Sequence, residues 1–136
     1  MNLELIPKAT AARNAAIAPY SNFKVGAALE TTNGEIFTGC NIENSSYGLT
    51  VCAERIALWK ALSEGARHFR AIAVVTDSAE QTSPCGACRQ LLWEYCGDIT
   101  VYIHSLRGLT NEYQLAALLP VPFDAHNLKG NSGTDA

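Results

Sequence analysis

The sequence predicts an α/β domain, with a mixed sheet covered by helices on both faces. Three observations carry this expectation. Asn33-Gly34 lies between two stretches suited to pair as strands, and Asn-Gly supplies the positive φ angles of a tight hairpin turn. Ala71-Ile72-Ala73-Val74-Val75 is a continuous apolar run of strand length, the pattern of a strand buried on both faces. That run and a second at residues 99–104 each follow a stretch of helical periodicity, and strands alternating with helices build layered sheets.

The elements follow in order. Alanine-rich residues 3–18 predict an amphipathic helix ended near Pro19. Residues 18–22 read as a loop, and residues 24–31 and 35–40 as the hairpin strands. Residues 41–50 are polar and read as an irregular connection. Residues 51–64 predict a helix with Ile56, Leu58, Trp59 and Leu62 apolar, stopped by Gly65. Residues 69–76 are the buried strand, residues 77–83 a loop, and Pro84 suits the start of a helix over residues 85–95 that ends at Gly97. Residues 99–104 form another buried strand, Gly108 breaks the chain, and residues 114–119 form a short helix before Pro120. Residues 1–124 read as a single domain, and residues 125–136 as a loose tail.

A chain of 136 residues is enough for one domain around one core. Charged residues are 17 %, low against roughly 25 % in ordinary globular chains, so partner subunits are expected to cover some apolar surface. A formal net charge of -3 and the lack of a basic run argue against a nucleic-acid backbone as the main partner. The first residues lack a basic start and an apolar stretch, so no signal peptide is expected and the setting reads as cytoplasmic. No apolar run approaches the roughly 20 residues of a membrane span. Five cysteines, two of them in C-x-x-C spacing, favour metal or redox chemistry over a disulfide framework.

Cys52-Ala53-Glu54 and Pro84-Cys85-Gly86-Ala87-Cys88 supply three thiolate ligands and a carboxylate not needed as a ligand. A structural zinc site closes all four positions with protein, whereas a catalytic one leaves a position for water. Cys52, Cys85 and Cys88 therefore read as ligands of one Zn2+ that activates water, and Glu54 as its proton carrier. These parts suit hydrolytic removal of an amino group from a heteroaromatic ring. Cys85 and Cys88, three apart on one helix, face one side of its first turn. Cys52 and Glu54 converge if the metal sits off the end of their helix. Both helices are thus expected to begin at the metal, with their positive dipole ends toward the thiolates. Three thiolates leave a net negative centre, so something must withdraw charge from the sulfurs. Arg55 is the first candidate for this neutralisation and Arg89 the second, with a surface salt bridge as the alternative for each. A redox pair, or a purely structural site closed by Cys40, are the other readings of the cysteines. Cys40 and Cys96 otherwise read as small buried hydrophobes, and His68, His104 and His126 as surface or strand-end residues.

Five segments occur in a characteristic order. Tyr20-Ser21-Asn22-Phe23-Lys24-Val25-Gly26-Ala27-Ala28-Leu29 precedes Gly39-Cys40-Asn41-Ile42-Glu43-Asn44-Ser45-Ser46-Tyr47-Gly48. Thr50-Val51-Cys52-Ala53-Glu54-Arg55, Ser83-Pro84-Cys85-Gly86-Ala87-Cys88-Arg89-Gln90 and Leu118-Leu119-Pro120 follow. Together they closely resemble the small homotetrameric zinc-dependent cytidine deaminases, over roughly residues 1–124. The resemblance implies a three-layer α/β/α sandwich around a mixed, about five-stranded sheet. It implies conversion of cytidine or 2'-deoxycytidine plus water to uridine or 2'-deoxyuridine plus ammonia, as in pyrimidine salvage. It also implies that Asn41 and Glu43 bind the ribose hydroxyls, that Phe23 lies near the nucleoside and that the Ala53 backbone contacts the base. Ser45, Tyr47 and Phe123 stand where the family's neighbouring subunits complete each active site. From the residues alone, Asn41 and Glu43 read equally as solvated loop residues, and Phe23 and Phe123 as core. Deamination of another amidine-like base or nucleoside, and a zinc-stabilised RNA-binding module, are the competing functions.

Overall fold

The structure, a computed structural model, describes residues 1–129. One five-stranded sheet runs in the order β2-β1-β3-β4-β5. β1 (Gly26–Thr31) and β2 (Ile36–Cys40) form the expected antiparallel hairpin. Gly34 takes φ 91° in its turn, a conformation that favours glycine. β3 (Phe69–Thr76) runs antiparallel to β1 and parallel to β4 (Thr100–Ser105). A parallel pair needs a crossover, and α3 (Gly86–Cys96) provides it.

β5 (Thr110–Gln114) pairs antiparallel with β4, where the residues alone suggested only a chain break. Its Thr-Asn-Glu-Tyr-Gln sequence is polar and its residues alternate between exposed and half-buried. It is an edge strand with one solvated face, so it lacks the apolar run that marks β3. Gly108, at φ 98°, turns the chain between the two strands.

Three of the helices are shorter than their sequence patterns. α1 spans Leu5–Arg13, not residues 3–18. Pro19 disfavours helix at the residue before it, and Ile17 pairs instead with Ile42 in a parallel bridge. Ile17 N–H donates to Asn41 O (3.0 Å), and Glu43 N–H donates to Ile17 O (2.8 Å). Ile42 also bridges Val51. The connection after β2 is thus held from both sides, with a single 3-10 turn at Tyr47–Leu49. α2 (Ala53–Ser63) begins two residues later than expected. Gly65 N–H to Leu62 O and Ala66 N–H to Ala61 O close its end, the paired bonds of a Schellman stop. Its buried face is Ala57, Leu58 and Ala61, while Trp59 is 45 % exposed. α4 (Leu115–Leu118) and α5 (Ala125–Leu128) are short. Asp124 caps α5 through His126 N–H and donates its own N–H to Asn127 Oδ1. Residues 125–128 are therefore helical, with Lys129 at their end, where a loose tail was expected; residues 130–136 of that tail lie outside the described residues.

Alternation along β1 and β3 separates two cores. Ala27, Leu29, Ile72, Val101 and Ile103 pack with α2 and with Leu92 of α3, whereas Ala28, Ala71, Ala73 and Val75 pack with Leu5 and Ala9 of α1. The molecule is a three-layer α/β/α sandwich, as expected. Two glycines let the layers touch. A Cβ on Gly26 would stand 2.0 Å from Ala9 O, and one on Gly39 would stand 2.4 Å from Ala53 O. The second contact seats the first residue of α2 directly on β2.

Candidate metal centre and active site

The backbone places the cysteines before any metal is considered. Cys52 is the N-cap of α2 and Cys85 the N-cap of α3. Cys88 lies in the first turn of α3 and is 1 % exposed. Both helices therefore start at the cluster, as the spacing required. The three sulfur atoms lie within 4.8 Å of one another, and the Cys85 and Cys88 sulfurs are 3.4 Å apart. Tetrahedral zinc with bonds of about 2.3 Å needs sulfurs about 3.8 Å apart, so the donor set fits that ion. Among the described residues this group has three members. Cys40 is not one of them: it is half-buried at the end of β2, opposite Gly26. Cys96 is half-buried against the larger core. His68 and His126 are exposed, and His104 meets Thr110 Oγ1 across β4 and β5.

The cluster's charge is already biased. Hydrogen bonding to Cys88, then the Arg55 charge, pulls the Cys52 thiol down to about 6 against the effect of burial. The same shared proton, with burial, pushes Cys88 upward. Arg55 is held above its ordinary value, first by Cys88 and then by the Cys52 and Cys85 sulfurs as well. Its Nε is buried without a hydrogen-bond partner. A buried, unpaired N–H is costly, and the cysteine sulfurs are the groups that surround this guanidinium. Arg89 differs from the expectation on both counts. It reaches neither a sulfur nor a carboxylate, but donates to Pro84 O, Leu118 O and Ser83 Oγ.

Glu54 is 5 % exposed, at the start of α2. Burial, with the neighbouring Cys52 charge, pushes its carboxyl up to about 7. It lines a cavity of about 270 Å³ together with Cys52, Ala53 and Cys85. The other wall carries Phe23, Asn41 and Glu43. Seven of the expected residues thus converge on one space.

The far wall is held by a local network. Asn41 is 8 % exposed, not solvated. Its Oδ1 accepts from Val25 N–H (2.9 Å) and its Nδ2 donates to Phe23 O (2.7 Å). A primary amide offers two donors and two lone pairs, so one of each remains for a ligand. Glu43 Oε1 accepts from Tyr20 and Ser21 N–H, and its other oxygen accepts from Ser21 Oγ. Those bonds hold its carboxyl below the ordinary value, the Ser21 hydroxyl most of all. Phe23 is 39 % exposed at the cavity, not in the core. Asn22 precedes it in a left-handed conformation, φ 57°, which asparagine tolerates.

Ser45, Tyr47 and Phe123 do not join this cavity. Ser45 is exposed. Tyr47 is 74 % exposed and lines an adjoining recess with Tyr20, the ring centroids 5.7 Å apart. Phe123 is 59 % exposed beyond α4, where its carbonyl accepts from Gln90. The cavity also takes in Ser21, Val25, Thr50, Val51, Val74, Thr82 and Ser83, none singled out beforehand. Ser21 lies inside the quoted Tyr20–Leu29 segment, and its spacing to Phe23 was the available signal. Val74 had none, because an apolar run does not show which residue ends at a cavity.

The chain is similar to known proteins over most of its length. Residues 2–104 match the family described as "Cytidine and deoxycytidylate deaminase zinc-binding region". The cytidine deaminase of Sporosarcina psychrophila is 50 % identical over 126 residues, which is 92 % of this chain and 93 % of that protein. The cytidine deaminase of Halalkalibacterium halodurans is 51 % identical over 125 residues, 91 % of this chain and 95 % of the relative. Among solved structures, the cytidine deaminase of Burkholderia pseudomallei superposes with a TM-score of 0.86 at 49 % identity, covering 90 % of this chain and 99 % of the other. Three sulfurs at two helix starts, a buried glutamate beside them, and this extent of similarity lead to one assignment: the chain belongs to the cytidine and deoxycytidylate deaminase family.

Proposed function

We propose that this chain hydrolyses the exocyclic amine of cytidine and 2'-deoxycytidine, releasing ammonia and the corresponding uridine, as an enzyme of pyrimidine salvage. The observation that carries this reading is the buried carboxylate of Glu54 at a cavity shared with Cys52 and Cys85. Cys52, Cys85 and Cys88 would hold zinc, which supplies the Lewis acidity that makes water nucleophilic near neutral pH. Glu54 takes one proton from the attacking water and gives it to ring N3, then takes the second from the hydroxyl now bonded to C4 and gives it to the leaving amine as the C4 carbonyl forms. One carboxylate serves both deliveries because they are sequential. Protonation at N3 draws electrons from C4, which water attacks. Arg55 offsets the negative charge of the sulfurs. Asn41 and Glu43 hold the ribose hydroxyls through the lone pairs and N–H not used by the chain's own backbone. Phe23 packs against the nucleoside, and the Ala53 backbone contacts the base. These roles belong to one catalytic unit spanning residues 1–124.

The same reading makes the enzyme a homotetramer with shared active sites. Ser45, Tyr47 and Phe123 then serve a neighbour's cavity, which accords with their exposure in the single chain. Five free thiols accord with a cytoplasmic setting. Among the described residues no helix is long and apolar enough to cross a membrane.

The test is an ultraviolet assay on cytidine, deoxycytidine, cytosine, adenosine and guanine. Turnover of the two cytosine nucleosides, with the free bases and adenosine left intact, is expected. Turnover of a purine in preference to cytidine would replace the substrate assignment. RNA retention that falls steeply with salt, without turnover, would favour a binding module.

A further inference from the structure

We propose that Arg89 is a positioning residue, which holds the Cys85 side of the zinc site in its binding geometry before metal arrives. Arginine on the first turns of a helix ordinarily finds a carboxylate or solvent. Among the described residues the ion pairs are Arg70–Glu30 and Arg107–Asp77, and Arg89 is in neither. Its guanidinium is spent on two separate segments. Nε donates to Pro84 O at 2.7 Å and one terminal nitrogen to Ser83 Oγ; the other donates to Leu118 O at 2.7 Å.

The first two acceptors belong to the residues that deliver Cys85 to the site. Pro84 O and Cys85 N share one rigid peptide plane. Fixing that carbonyl fixes the plane, and with it the Cα from which the Cys85 side chain departs. Cys85 needs this more than Cys88 does. Cys88 is buried within α3, whereas Cys85 is exposed, and as N-cap it has extended backbone, φ -64° and ψ 163°, with no capping bond from its side chain.

The third acceptor supplies a firm base. Leu118 ends α4, whose first residue is fully buried and donates its N–H to Ile99 O at 2.9 Å. Ala116 N–H adds a bond to Asp98 Oδ1. Arg89 thus ties the approach to Cys85 to an element already anchored on the sheet. Three acceptors around one planar fork suit guanidinium; an ammonium presents its donors from a single point and reaches fewer of them.

This inference rests on the reading that the three cysteines hold zinc. It is tested on metal-stripped protein by competition with a chromogenic chelator, with the zinc release rate and zinc-free melting temperature as second readouts. Arg89→Lys is expected to weaken zinc binding by about 10- to 100-fold, the range for residues that orient ligands, and to speed release. Ser83→Ala, which removes one acceptor and keeps the arginine, is expected to move affinity the same way by less. Arg70→Lys, at the Glu30 pair, should leave zinc affinity unchanged. A lower zinc-free melting temperature with unaltered affinity in Arg89→Lys would overturn the proposal, because a merely structural pin behaves so. Should Arg89→Lys fail to fold, unaltered affinity in Ser83→Ala overturns it equally. A parent protein that binds no zinc defeats the underlying reading, while equal binding by parent and both variants defeats this inference alone.

Discussion

Glu54 is a charged residue type placed where charge is least welcome, 5 % exposed at the mouth of a helix beside a thiol cluster. Such burial is tolerated when the group moves protons. Glu54→Gln keeps the size and removes the proton carrier. It should retain zinc and lose about 10²- to 10⁴-fold in turnover, read by metal content and rate on one preparation. A rate near the parent's would assign the proton transfers elsewhere. Glu30 is a second buried carboxylate, remote from the cavity. Burial raises its pKa, but hydrogen bonds from Arg70 and Asn2 and the Arg70 charge together hold it below the ordinary 4.5. A lowered folded value stabilises above pH 4.5 and loses that contribution as pH falls through it. Glu30→Gln should therefore show a weaker loss of melting temperature below pH 4.5 than the parent; parallel curves would contradict this. At this scale the ligands were legible because Cys-Ala-Glu and Cys-Gly-Ala-Cys are local patterns. Arg89 was misread because one of its acceptors, Leu118, lies 29 positions away.

Two helix starts bring the chemistry together, and each depends on the element beneath it. α2 sits on Gly39 so closely that a Cβ there would meet Ala53 O at 2.4 Å and Ala57 N at 2.6 Å. Neither backbone atom can move aside without shifting α2. Gly39→Ala should lower stability by about 1–3 kcal/mol and reduce turnover as well, because Cys52 and Glu54 ride on the displaced helix. Chemical denaturation and kinetics on the same variant measure both, and an unchanged denaturation midpoint would show that the layers have slack. The element pattern was mostly readable. β3 was legible to its last residue, because burial on both faces leaves an unbroken apolar run. β5 was not, because an edge strand of polar residues carries no such mark. The end of α1 was missed because Ile17, helical by composition, is claimed by pairing with Ile42.

The whole molecule closes two cores on one sheet yet leaves several large apolar side chains exposed. Val121 is 98 %, Leu128 78 %, Tyr47 74 % and Leu49 68 % exposed. The sparse charge of the sequence anticipated such surface, although composition does not say where it lies. In the proposed tetramer Phe123 serves a neighbour's cavity, so Glu54→Gln and Phe123→Ala damage different halves of each shared site. Subunits of the two variants, mixed and reassembled, should regain activity that neither has alone. Activity no greater than the average of the separate variants would place Phe123 outside the neighbour's site.

The proposed deamination requires a zinc ion held by three sulfurs. That requirement is tested most directly by titrating zinc into metal-stripped protein while following cytidine turnover. Turnover should rise in proportion to bound zinc and stop rising at one ion per chain. Full turnover by stripped protein, or stoichiometric zinc without turnover, would contradict the account.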